Sequence, residues 1–242
     1  MNDVLSKKIS FVQMVFCIMI VFGHALDFSL IEQFRYQSII GNVVFYILYI
    51  FNILCGAAVP SYFVMSGYLL FYKNGGVFAK IKSRFKSIFI PYVLWSLIGC
   101  FIWMAFNNNY SINIGSTIIN STYNASLWYM RNLIVYVVAT PLIIPCIKRK
   151  KLCLILIAVL ITFNIIFHNQ LSYYSYSYGM IYYTVGGYFA LHAKESVLKQ
   201  ANKNNIISSI IASGIVFVLA VKTPILTVNV GRSIVNLTWR CV

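Results

Sequence analysis

Acidic side chains are almost missing from this chain: 242 residues carry four Asp and Glu, against nineteen Lys and Arg. Charge of either sign is scarce, at 10% of residues, where a soluble domain holds about a quarter. A soluble fold that poor in charge has too little polar surface to cover itself, so that class is excluded. Short segments of alternating polarity are missing, which excludes a membrane β-barrel. The six cysteines (Cys17, Cys55, Cys100, Cys146, Cys153 and Cys241) show no metal-ligand spacing. They read as small reduced hydrophobes, mostly inside apolar runs, and no metal is expected. No Walker-type loop, HExxH or GxSxG motif is present. No small-x-small cleavage pattern follows the first apolar run, which therefore reads as a retained helix and not as a secretory signal.

What the chain does have is apolar length. Hydrophobic residues make up 60% of it, in runs close to the ~20 residues that a helix needs to cross a bilayer. The runs predict spans over 9–26, 43–72, 88–106, 127–147, 152–168, 177–192 and 206–221. The fold class is all-α, a polytopic transmembrane bundle of about seven spans forming one domain over 1–242. The net charge of +15 would suggest nucleic acid in a soluble protein. Here the basic residues cluster between spans, so no nucleic-acid partner is expected, and membrane lipid is. Lys7 and Lys8 precede the first span, Lys80, Lys82, Arg84 and Lys86 precede the third, Lys148 to Lys151 follow the fourth, and Lys194, Lys199 and Lys203 follow the sixth. The stretches 107–126 and 169–176 carry no charge. That alternation places the N-terminus in the cytoplasm of a multi-pass protein of the cell (plasma or inner) membrane.

Local features refine the picture. The second span is too long for one straight crossing, and Gly56 and Pro60 at its middle predict a kink or break. Asn107–Ser126 reads as an external loop. Tyr173–Tyr183 reads as an aromatic belt at the outer end of the sixth span, the alternative being a stacking surface for sugar. The residues after Lys222 form neither a convincing further helix nor a charged tail, so the chain reads as stopping early.

Ionisable groups inside a membrane are expensive, and each one needs a reason. His24 lies in the outer third of the first span, and Asp27 follows at i+3, close enough to orient an imidazole. The pair is either chemical or an interfacial contact with water and headgroups. Arg131, one turn into the fourth span, comes from the same outer side. It can pair with Asp27, hold a polar substrate, or snorkel among belt aromatics. On the inner side, Lys80, Lys82, Arg84 and Lys86 stand just before Ile90-Pro91-Tyr92. Basic residues ahead of a helix N-terminus suit a phosphorylated ligand, and equally a purely topogenic cluster. His168 and His192 sit at span ends and read as interfacial.

Five stretches together resemble the membrane acyltransferase 3 family, which O-acetylates sugars and polysaccharides. They are Val21-Phe22-Gly23-His24; Pro60-Ser61-Tyr62-Phe63-Val64-Met65-Ser66-Gly67-Tyr68-Leu69-Leu70; Arg84-Phe85-Lys86 with Ile90-Pro91-Tyr92 and Trp95; Leu127-Trp128-Tyr129-Met130-Arg131 with Pro141; and Gly186-Gly187-Tyr188-Phe189. The resemblance implies an acyl-CoA donor, acetyl-CoA foremost, taken from the cytoplasm, and a glycan or sugar acceptor acylated within or across the membrane. It places the family's essential histidine at His24, with Asp27 beside it. It gives Arg131, Trp128 and Ser66 to the acceptor, and Arg84, Lys82 and Lys86 to the CoA phosphates. Two features depart from the family. Gln13 stands where a cation is common, eleven residues before the histidine, and the family's usual ten or so helices imply C-terminal truncation here. The competing readings are a transporter or flippase without covalent chemistry, and an inactive truncated fragment.

Overall fold

The computed structural model describes residues 3–25, 32–33, 38–72, 76–107, 114–120, 123–167, 170–171 and 175–202. Among the described residues every regular element is helical. In chain order these are α1 (Asp3–Ala25), α2 (Ile39–Gly56), α3 (Ala58–Tyr72), α4 (Val77–Asn107), α5 (Ile114–Asn120), a 3-10 turn (Ala125–Leu127), α6 (Trp128–Lys148), α7 (Lys150–Ile166), α8 (Tyr176–His192) and α9 (Lys194–Asn202). Four stretches are long and apolar enough to cross a membrane: Asp3–Ala25, Ile39–Tyr72, Phe78–Phe106 and Trp128–Lys148. Helices α7 and α8, at 17 residues each, sit at the lower limit of about 17 for a span. The expected span over 206–221 lies outside the described residues.

The break expected within the second span is present. Helix α2 opens with Ser38, whose hydroxyl accepts from the Gly41 amide at 2.9 Å, satisfying one of the orphan donors of a helix start. It ends at Gly56, and α3 begins at Ala58 after the single residue Ala57. Pro60 falls in the first turn of α3, where its missing N–H is harmless. Ser61 covers the Ala57 carbonyl with both its amide, at 3.2 Å, and its hydroxyl, at 2.9 Å.

Three expectations are corrected. The third helix starts at Val77 and not near residue 88, because Lys80, Lys82, Arg84 and Lys86 are good helix formers. Hydropathy locates only the apolar part of such a helix. The stretch 107–126 is not merely a loop: α5 and the 3-10 turn form inside it, and the Tyr92 hydroxyl donates to the Ile118 carbonyl. The tyrosine tract is not a surface belt at its C-terminal end, since Tyr182 and Tyr183 are buried. Residues 173 and 174 of that tract lie outside the described residues.

The chain divides into two compact units, one of residues 1–62 and 195–242, the other of residues 63–194. In the first, α1 packs on α2. A Cβ on Gly23 would stand 2.9 Å from the Cys55 Cβ, so the contact needs glycine there. Tyr62 reaches back to α1, its hydroxyl 2.6 Å from the Gln13 carbonyl and 2.8 Å from the Cys17 sulfur. In the second unit α6 is the hub, packed against α4, α7 and α8. Its buried residues Trp128, Asn132, Tyr136 and Thr140 recur every fourth position and form one stripe. Helices α3 and α8 cross with their backbones almost touching. A Cβ on Gly67 would come within 2.1 Å of the Tyr183 carbonyl oxygen, and one on Gly186 within 2.0 Å of that of Val64.

Candidate functional site

The basic run on α4 separates into two faces once it is helical. A helix turns about 100° per residue, so positions four apart share a face and positions two apart lie nearly opposite. Lys80 and Arg84 therefore form one pair, and Lys82 and Lys86 the other. Burial follows that division: Lys80 and Arg84 are half-buried, while Lys82 and Lys86 are exposed. The expected free N–H groups beside Arg84 do not exist, because a helix leaves only its first four amides open and α4 starts at Val77. Of the three residues expected to hold donor phosphates, the structure turns Arg84 inward and leaves the other two outside.

Within electrostatic reach of Arg84 are two tyrosine hydroxyls, from α6 and α8. Its positive charge acts on the hydroxyls of Tyr129 and Tyr183. The Tyr129 hydroxyl lies 3.1 Å from that of Ser66 on α3, and its ring packs on Phe63 with centroids 4.6 Å apart. The Tyr183 hydroxyl lies 2.9 Å from that of Thr140. Thr140 already donates to the Tyr136 carbonyl at 2.8 Å, so Tyr183 must be the donor between them. Tyr183 and Thr140 are almost completely enclosed. The result is a cation set against paired hydroxyls inside a helical unit. Lys80, one turn earlier, donates to the Leu70 carbonyl at 3.4 Å.

The remaining site residues are placed as follows. Trp128 is buried against Phe63, ring centroids 6.1 Å apart, and serves the packing of α6 on α3. Arg131 is half-buried, its guanidinium carbon 5.4 Å from the centroid of the Tyr176 ring at the start of α8. Two neighbours fasten the same end of α8: Tyr136 donates to the Tyr176 carbonyl at 2.7 Å, and Asn132 to that of Ser175 at 3.4 Å. His24 is exposed in the last turn of α1. Asp27 lies outside the described residues, as does His168. His192 closes α8, with Nε2 2.7 Å from the Ile147 carbonyl. Ser66, Arg84, Trp128 and Arg131 belong to the second unit, and His24 to the first.

Tyr129, Tyr183 and Thr140 were missed as site residues. Lys80 belongs to the basic cluster that suits a phosphorylated ligand, but only the i, i+4 rule on a helix sets it beside Arg84 and apart from Lys82 and Lys86. Tyr129 stands beside Trp128 in a quoted motif. Nothing in the sequence pairs Thr140 with Tyr183, which are 43 positions apart. Residues 7–239 match a family model described as an acyltransferase domain. No curated protein and no solved structure matches the chain.

Proposed function

The chain belongs to the acyltransferase 3 family, and from that premise we propose that it transfers an acyl group, acetyl foremost, from acyl-CoA to a hydroxyl of a cell-envelope sugar or polysaccharide. It is a membrane acyltransferase; the donor, the acetyl group, the acceptor, the cell membrane and the cytoplasmic N-terminus are our assignments. The observation that carries the donor assignment is the half-buried side of α4 on which Arg84 stands, within electrostatic reach of Tyr129 and Tyr183. A guanidinium partly withdrawn from water in a membrane helix bundle is costly unless it meets an anion or strong acceptors.

In this reading the phosphorylated donor approaches from the cytoplasmic side along the Arg84 face. The acceptor comes from the other side; His24 is assigned as its base, and Arg131 and Ser66 as acceptor-binding residues. A sugar hydroxyl is a weak nucleophile at neutral pH. His24 takes the hydroxyl proton as the oxygen attacks the thioester carbonyl. The tetrahedral intermediate collapses, the carbon–sulfur bond breaks, and the imidazolium returns the proton to the departing thiolate. Asp27 holds the imidazole tautomer and steadies its charge. Lys82 and Lys86, on the outward face of α4, supply attraction for a polyanion in place of direct contact.

The test uses the full chain in lipid nanodiscs with labelled acetyl-CoA and envelope polysaccharide. His24→Ala should lower transfer by about 10²-fold or more. Because the side chain is exposed, thermal unfolding should stay within about 0.5 kcal/mol of the parent. Transfer at the parental rate would refute the base assignment.

A further inference from the structure

Lys80 shares the inward face of α4 with Arg84, yet the family resemblance gives the CoA phosphates to Arg84, Lys82 and Lys86 and leaves Lys80 as an undivided part of the basic run. It is half-buried. Its ammonium has three donors, and the bond to the Leu70 carbonyl is a long one, at 3.4 Å. Around it Leu70, Phe71, Lys80, Ile81, Thr140 and Ile144 enclose a cavity of about 10 Å³, the room one water molecule occupies. That cavity runs from Lys80, near the start of α4, to Thr140, which holds the hydroxyl of Tyr183. Tyr183 in turn feels the Arg84 charge. One face of one helix thus presents two cations a turn apart, and a narrow, mostly apolar space links the first of them to the enclosed hydroxyl pair.

We propose that Lys80, and neither Lys82 nor Lys86, is the second cation that binds the phosphate of the acyl donor alongside Arg84, at the mouth of the cavity between α3, α4 and α6. This rests on the acyl-CoA reading of the site. The chemistry asks for a ligand with a pyrophosphate, one negative charge on each phosphate, followed by a slender, weakly polar arm. The phosphate draws the Lys80 ammonium from the Leu70 carbonyl into a shorter, charge-assisted bond. Movement of that one long side chain widens the cavity toward Thr140. Lys82 and Lys86, nearly opposite on the helix, point away from this space and contribute only a screened field.

The experiment compares binding of acetyl-CoA and of S-acetyl-pantetheine, which lacks the phosphates, to the full chain in nanodiscs. Lys80→Ala should weaken acetyl-CoA by about tenfold or more and leave S-acetyl-pantetheine unchanged, with Lys80→Arg restoring most of the loss. Lys82→Ala, which removes only part of a screened field, should weaken acetyl-CoA by no more than about twofold at physiological salt. Lys80→Gln keeps a donor for the Leu70 carbonyl. A loss shared by Lys80→Gln and Lys80→Ala for acetyl-CoA alone, with thermal unfolding unchanged, therefore separates charge from folding. Equal affinity of Lys80→Ala and parent for acetyl-CoA would overturn the proposal. So would an equal loss from Lys82→Ala, or a loss that extends to S-acetyl-pantetheine. A parent chain that binds neither thioester would instead overturn the donor reading on which the proposal stands.

Discussion

The two units differ in how deeply they are packed, although both expose apolar side chains. In the first, α1 and α2 meet along one seam, and Phe11, Val21 and Ile50 are more than half exposed. In the second, α6 packs on three helices, and Phe63, Tyr136 and Tyr183 are almost entirely enclosed, while Leu142 of the same helix is 81% exposed. Lipid tails are as apolar as a partner helix, so the exposed face of the first unit carries no penalty in a bilayer. The polar residue on that open surface is then the anomaly. His24, next to exposed Val21 and Phe22, contributes nothing to packing that an aliphatic side chain would not. In the second unit, by contrast, the enclosed Thr140 and Tyr183 hydroxyls are structural partners of each other before anything else. The difference teaches where function and stability separate: substitutions at His24 report on chemistry, and those around α6 report on both.

The sharpest way to break that contrast is at the glycines. Any side chain at Gly67 or Gly186 drives a Cβ to within about 2 Å of a backbone oxygen, and neither backbone can yield without moving its helix. Gly67→Ala and Gly186→Ala should each lower stability by about 3 kcal/mol, the upper end for overpacking, despite the better helix propensity of alanine. In the first unit a Cβ on Gly56 meets nothing within 4 Å, and Gly56→Ala should stay within about 1 kcal/mol of the parent. Thermal unfolding in detergent would measure all three. A Gly67→Ala chain that unfolds like Gly56→Ala would mean that α3 and α8 do not approach this closely.

A smaller effect separates the two hydroxyl contacts. Thr140→Val preserves shape but leaves the enclosed Tyr183 hydroxyl without the acceptor it now uses, which should remove about 1–3 kcal/mol. In the first unit, Cys17 is exposed, and Tyr62 retains the Gln13 carbonyl when the sulfur is lost. Cys17→Ala should therefore change stability by no more than about 0.5 kcal/mol. Equal losses at the two sites would show that enclosure around Thr140 adds nothing.

How much of this was legible depends on what each residue's neighbours in sequence reveal. The helical class, and the break between Gly56 and Ala58, follow from run length and from Gly and Pro, which act locally. The start of α4 was hidden because hydropathy registers lipid contact and not helicity: Lys80 to Lys86 continue the helix while ending the apolar run. That one misplaced boundary also obscured the site, since Lys80 pairs with Arg84 only on a helix. Tyr183 looked interfacial because a tyrosine within a Tyr-Ser tract suits a headgroup region. Its burial is set by Gly67 and Thr140, which are distant in sequence. His24 stood out because an ionisable residue in an apolar helix needs no tertiary information to be conspicuous.

The smallest effect concerns Arg131, where the sequence left substrate contact and snorkelling open. Its guanidinium lies over the Tyr176 ring, and that ring is itself 45% exposed. A cation–π contact at such an exposed position contributes about 0.5–1 kcal/mol. It also sets a cation beside the first turn of α8, where the helix dipole opposes it, so the net effect falls toward the lower end. In a double-mutant cycle of Arg131→Met and Tyr176→Leu, unfolding should give a coupling of about 0.5 kcal/mol. Acceptor affinity should fall with Arg131→Met and hold with Tyr176→Leu if the guanidinium binds the acceptor while leaning on the ring. Coupling in stability with no change in acceptor affinity for Arg131→Met would make Arg131 a fastener of α8, like its neighbours Asn132 and Tyr136, and would remove it from the site.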